Sequence, residues 1–146
     1  MIGIDTSFLI ALAIQEHESH PQAWRFYDRS LKNIKGGALL APQVLQEWLH
    51  IVTDSKRFER PFEMSEALKW ADHFESVEEF RVIYPSAESN HLFLQWMKEF
   101  NLGRKRILDT YLAATYSTAG VKTIVTTNWR DFELFKCFKA SDWLID

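Results

Sequence analysis

The sequence predicts an α/β domain of three layers, with helices on both faces of a mostly parallel central sheet. Two observations carry that expectation. Short apolar runs suited to strands alternate with longer amphipathic runs suited to helices, an order that calls for a parallel sheet flanked by helices. The length also fits: 146 residues, 47% hydrophobic and 14% aromatic, supply one domain over residues 1–146 with a sizeable core. No repeat, low-complexity tract or long linker divides the chain, and Gly36-Gly37 is its clearest break.

Taken in order, Ile2 to Asp5 reads as a strand and Ser7 to Gln15 as a helix. A second helix is expected over Pro21 to Lys32, then a short apolar strand at Ala38 to Ala41. Pro42 suits the first position of the next helix, which runs to about Thr53. A helix near Ser65 to Phe74 and a strand at Phe80 to Tyr84 follow. Ser86 caps a helix ending near Phe100, and Ile107 to Ala119 is a helix closed by Gly120. Thr123 to Thr126 is a β-branched strand, and Phe138 to Ala140 a weak one.

Composition excludes several classes. The first charge is an acid, Asp5, which breaks the opening apolar run, so no secretory leader is read there. The apolar stretch that follows is too short for a bilayer, and no membrane association is expected. The lone Cys137 rules out an internal disulfide and any multi-cysteine zinc site; a packing role and a reducing, cytoplasmic compartment are expected. His17 and His20 flank Glu18 without a third ligand nearby and read as a surface loop. A net charge of −3 gives no global nucleic-acid footprint, so any such partner needs a local basic patch. Trp24, Trp48, Trp70 and Trp96 have apolar neighbours and read as core or interface; Trp129 is placed to line a cleft.

Four acids recur beside strand ends, where open α/β sheets bind ligands. Asp5 closes the first strand. Glu47 lies on the helix after the second, off its apolar stripe, and alone reads as a solvated residue. Asp109 stands in the first turn of an otherwise apolar helix, where it also complements the helix dipole. Asp131 follows the late strand, three residues after Asn128, in a pattern that equally describes a plain helix cap. If the four converge, unit charges 4 Å apart repel by about 4 kcal/mol at an effective dielectric of 20. Such a cluster binds protons or a cation, and oxygen-only ligands favour Mg²⁺ or Mn²⁺.

In the segments IDTSFLIALA, LQEWLHIV, LDTYLAAT and TTNWRDF the chain resembles the PIN domain, a Rossmann-like family of metal-dependent ribonucleases. The compact length and TTNWRDF look most like the VapC toxins of bacterial type II toxin–antitoxin pairs. The resemblance covers roughly residues 1–53 and 103–135. It departs at Asn128, where many relatives carry an acid. It implies hydrolysis of RNA to 5′-phosphate and 3′-hydroxyl ends with Mg²⁺ or Mn²⁺. Asp5, Asp109 and Asp131 would be ligands, with Glu47 ligating through water or orienting the nucleophile. Thr6, Ser7, Thr127 and Asn128 would orient carboxylates or phosphate; for Thr6 and Ser7, helix capping is the plainer reading. Arg104, Lys105, Arg106 and Arg130 would grip RNA, whereas Arg57 and Arg60 read as solvated. A cognate antitoxin, a homodimer and a transfer RNA or ribosomal RNA substrate are the implied partners. A housekeeping RNA-processing nuclease and a non-cutting binding module are the alternatives.

Overall fold

A computed structural model describes residues 1–144. Five strands form one sheet: β1 (Ile2–Ile4), β2 (Ala38–Leu40), β3 (Phe80–Val82), β4 (Thr123–Val125) and β5 (Lys139–Ala140). Their order is β3-β2-β1-β4-β5, and every pairing is parallel. The sheet is therefore wholly rather than mostly parallel. Each strand is shorter than its apolar run. Asp5, Ala41, Tyr84 and Thr126 all fall beyond the ladder, because the chain turns away as soon as it leaves the sheet.

Helices α1 (Thr6–Ala13), α2 (His20–Phe26), α3 (Pro42–Val52) and α4 (Met64–Ser76) connect β1, β2 and β3. They pack on one another, α1 against α2 and α3, and α3 against α4. Helices α5 (Ala87–Glu99), α6 (Ile107–Thr118) and α7 (Arg130–Glu133) lie between β3 and β5 and pack α5 on α6 and α6 on α7. Right-handed crossovers account for the two groups, since connections that advance in opposite directions along a sheet fall on opposite faces. The direction reverses between β1 and β4. Their carboxyl ends thus form the switch point at which such sheets bind ligands.

Two expected elements change in form. The helix read over Pro21 to Lys32 is α2 followed by a π turn, Tyr27–Leu31, in which the Lys32 N–H donates to the Tyr27 carbonyl at 2.9 Å. Asn128 does not cap α7 with its side chain. Its carbonyl instead accepts from the Asp131 N–H at 3.0 Å, and Trp129 precedes the helix. The Ser86 cap is present as read, accepting from the Ser89 N–H at 3.1 Å.

Aromatic residues fill both sides of the sheet. Phe8 meets Phe26 and Trp143 edge-on, Trp48 packs on Phe74, and Trp96 stacks on Phe135 at 4.4 Å. Trp48 and Trp96 are core; Trp70 is half-buried and Trp24 is exposed beside Tyr27. Cys137 is half-buried against the core, and burial pushes its thiol pKa up, which makes it a packing residue rather than a nucleophile. Gly3 has a specific task in β1. A Cβ there would meet the Tyr116 ring at 2.8 Å, and the Tyr116 hydroxyl needs that room to donate to the Ile4 carbonyl. The same hydroxyl accepts from the Ala41 N–H at 3.3 Å, so Tyr116 ties the ends of β1 and β2 together beneath the switch point. Among the described residues, no helix is long and apolar enough to cross a membrane.

Candidate active site

Asp5 leaves β1 in extended conformation, φ −94° and ψ 156°, at the position where an Asp ordinarily caps the following helix. It makes no cap bond. Its Oδ2 accepts from the Thr126 hydroxyl at 2.7 Å and the Ser7 hydroxyl at 2.9 Å. These hydroxyls are fixed in turn by the chain leaving β4. The Asn128 N–H donates to Thr126 Oγ1 at 2.9 Å, and the Thr127 N–H donates to Ser7 Oγ at 3.0 Å. Two backbone amides therefore orient a carboxylate through two hydroxyl relays. Asp5 is 7% exposed, and burial raises its pKa. The Thr126 and Ser7 bonds oppose the rise, and the charge of Glu47 adds to it.

Glu47 projects from α3. Its Oε2 accepts from the Thr6 hydroxyl at 2.6 Å, which links α3 to the first residue of α1. Neither Thr6 nor Ser7 caps α1. Thr127 and Asn128 contribute main-chain N–H groups, and both residues are exposed.

Asp109, in the first turn of α6, faces the same rim from the other helical layer. Its pKa is raised from its ordinary 3.8 to about 6, by burial first and then by the charges of Asp131, Asp5 and Glu47. Arg106 opposes the rise. Asp131 lies in the first turn of α7, and its carbonyl accepts from Arg106 Nη2. Arg106 was expected to grip RNA. It is half-buried and turned inward on α7, its Nε buried without a partner, so it braces the acidic rim instead. Arg104, Lys105 and Arg130 are exposed.

The structure thus brings the four acids to one rim, close enough that the charges of Asp131, Asp5 and Glu47 all raise the pKa of Asp109. They do not close on a point: among the described residues, no three Asp, Glu, His or Cys side chains form a ready metal cage. The donor set still suits a hard divalent ion. It is all oxygen, it carries more negative charge than the nearby Arg106 offsets, and Asp5 keeps Oδ1 free of the hydroxyl bonds that fix Oδ2. His17 and His20 take no part. His17 Nδ1 accepts from the Ser19 N–H, and His20 Nδ1 pairs with the Ala11 carbonyl.

Two hollows adjoin the acids. One, of about 400 Å³ between α3 and α6, includes Glu47, Asp109, His50 and Arg57. The other, of about 480 Å³, runs along Thr127 to Asp131 and includes Trp129. Arg57 is exposed, as the sequence implies, and also has a place beside the site. Its side chain pairs with Asp54 at 3.6 Å but lies on the hollow that Glu47 lines. Nothing in the run SKRFER marks that placement, which depends on the turn after α3 folding back.

No protein-family model matches the chain, and no curated protein matches it in sequence. Solved structures do match in three dimensions. VapC20 of Mycobacterium tuberculosis, described as a sarcin–ricin loop cleaving toxin, superposes with a TM-score of 0.70 at 16% identity, over 92% of this chain and 95% of that one. The fold is that of the PIN domain. VapBC2 of Rickettsia felis, bound to a DNA fragment from its promoter, shares the PIN fold at a TM-score of 0.69 and 18% identity, covering 97% and 98% of the chains. FitAcB of Neisseria gonorrhoeae gives 0.68 at 16% identity over 98% and 99%.

Proposed function

We propose that this chain is an endoribonuclease dependent on Mg²⁺ or Mn²⁺, and the toxin half of a VapBC-like pair restrained by a cognate antitoxin. The observation that carries the reading is the rim of four carboxylates, drawn from both helical layers to the switch point of the sheet, with positive charge too sparse to neutralise them. The solved structures with this fold support it, being a loop-cleaving toxin and toxin–antitoxin assemblies bound to DNA.

Asp5, Asp109 and Asp131 would hold the ion, with Glu47 beside it. When bound, the ion supplies positive charge at the phosphate and makes water a better acid. The chain's own residues do the rest. Thr126 and Ser7 hold Asp5 in one orientation, and Thr6 steadies Glu47. Arg106 keeps Asp131's turn against α6. Exposed Arg104, Lys105 and Arg130 flank the rim and are available to backbone phosphates.

The test is cleavage of total RNA with Mg²⁺ or Mn²⁺, and with chelator as control. Asp5→Asn and Asp109→Asn should each lower the rate by more than ~100-fold, since even outer-shell changes at metal sites cost ~10–100-fold. Circular dichroism should show both variants folded. Full activity in either folded variant would remove the reading.

A further inference from the structure

The hollow between α3 and α6 begins at Glu47 and Asp109, so whatever fills it stands directly beside the reacting phosphodiester. Its volume, about 400 Å³, lies within the ~300–1,000 Å³ of small-ligand clefts. Val44, Ile51 and Leu112 give it an apolar wall, and Leu108 forms its lip. Leu108 is 71% exposed, and so contributes little to the core. That exposure leaves its side chain open to pack on a bound molecule. The polar groups sit around that wall. Gln43 commits its amide nitrogen to Thr115 at 3.3 Å, which leaves its oxygen to accept. Gln46 and His50 are exposed on the same side of α3, and Arg57 brings positive charge opposite Glu47.

Apolar walls with a ring of donors and acceptors suit a flat heterocycle whose faces are apolar and whose edges are polar. The second hollow, on the far side of Asp131, has Trp129 but no aliphatic wall, and reads as an open shelf. We infer that the α3–α6 hollow is a nucleobase pocket, and that His50, Gln46 and Leu108 set which base is accepted next to the scissile phosphate. The inference rests on the nuclease reading. A polypeptide segment is the competing occupant, and the test below separates the two.

The test uses synthetic RNA hairpins with fully randomised loops, incubated with Mn²⁺, with cut positions and flanking bases sequenced. The wild-type chain should prefer one base, by about tenfold, at a single position adjoining the cut. His50→Ala and Leu108→Ser, both at exposed positions, should erase or redirect preference at that position alone. Ile51→Trp, which fills the hollow, should do the same while cleavage continues. Cleavage with unchanged preference in His50→Ala and Leu108→Ser overturns the pocket and leaves the nuclease reading standing. The same unchanged preference, joined to lost binding of the antitoxin, gives the hollow to a protein partner and equally overturns it. Absence of any Asp109-dependent cleavage by the wild-type chain removes both.

Discussion

The two sides of the acidic rim are built on opposite plans. On the β1 side, Asp5 and Glu47 are each held by hydroxyl donors from Thr6, Ser7 and Thr126, and those near Asp5 are anchored by backbone amides. On the α6 side, no donor side chain reaches the Asp109 carboxylate among the described residues, and only the charge of Arg106 offsets its acidic neighbours. One side is positioned in advance and the other is left with charge to satisfy. A cation binding at the rim would therefore find its geometry on the first side and its driving force on the second.

Three variants break or sharpen that contrast. The largest effect belongs to Thr126→Val, which keeps the shape of a residue only 7% exposed and removes the 2.7 Å bond to Asp5. Cleavage should fall by about 10–100-fold, with a higher Mg²⁺ requirement. A normal Mg²⁺ titration in this variant would dissolve the distinction between the two sides. Thr6→Val should cost less, under about tenfold, because Glu47 is exposed and water can replace the lost hydroxyl. A larger loss than for Thr126→Val would make Glu47, rather than Asp5, the residue that depends on fixed orientation.

The smallest effect is on stability. Asp109 has a folded pKa of about 6 against an ordinary 3.8, so the folded state binds more protons than the unfolded one between these values. Stability consequently falls as pH rises from about 4 to about 6 and stays lower above that. Discounted for solvent screening, the cost is on the order of 1 kcal/mol. Asp109→Asn should raise Tm at pH 8 by about 2–4 °C more than at pH 3.5. Equal shifts at the two pH values, measured by differential scanning fluorimetry, would show that Asp109 is not under charge strain.

Much of the architecture was legible because periodicity and punctuation report directly on it. Pro42, Ser86 and Gly120 mark helix ends that the structure places within a residue, and Gly120 takes the positive φ of 82° that a helix stop favours. The acids were legible as candidates from their places beside strands. What the sequence concealed was partnership. Residue spacing does not say that Arg106 turns inward while Arg104 and Lys105 face solvent, since a short 3₁₀ turn, Arg104–Arg106, rotates consecutive side chains apart. Nor does it say that Thr127 and Asn128 act through main-chain N–H groups, because a backbone donor leaves no trace in residue identity.

Trp143 is, among the described residues, the last large side chain of the core, 2% exposed, and its indole N–H donates to the Thr126 carbonyl at 3.0 Å. Asp5, just after the first strand, thus leans on a threonine whose backbone is fastened by a residue beyond the fifth. A stop codon just before Trp143 would spare all five strands and all four acids of the rim, yet unfasten the residue that aims the first of them. During translation the rim would then acquire its final shape only after Trp143 had emerged.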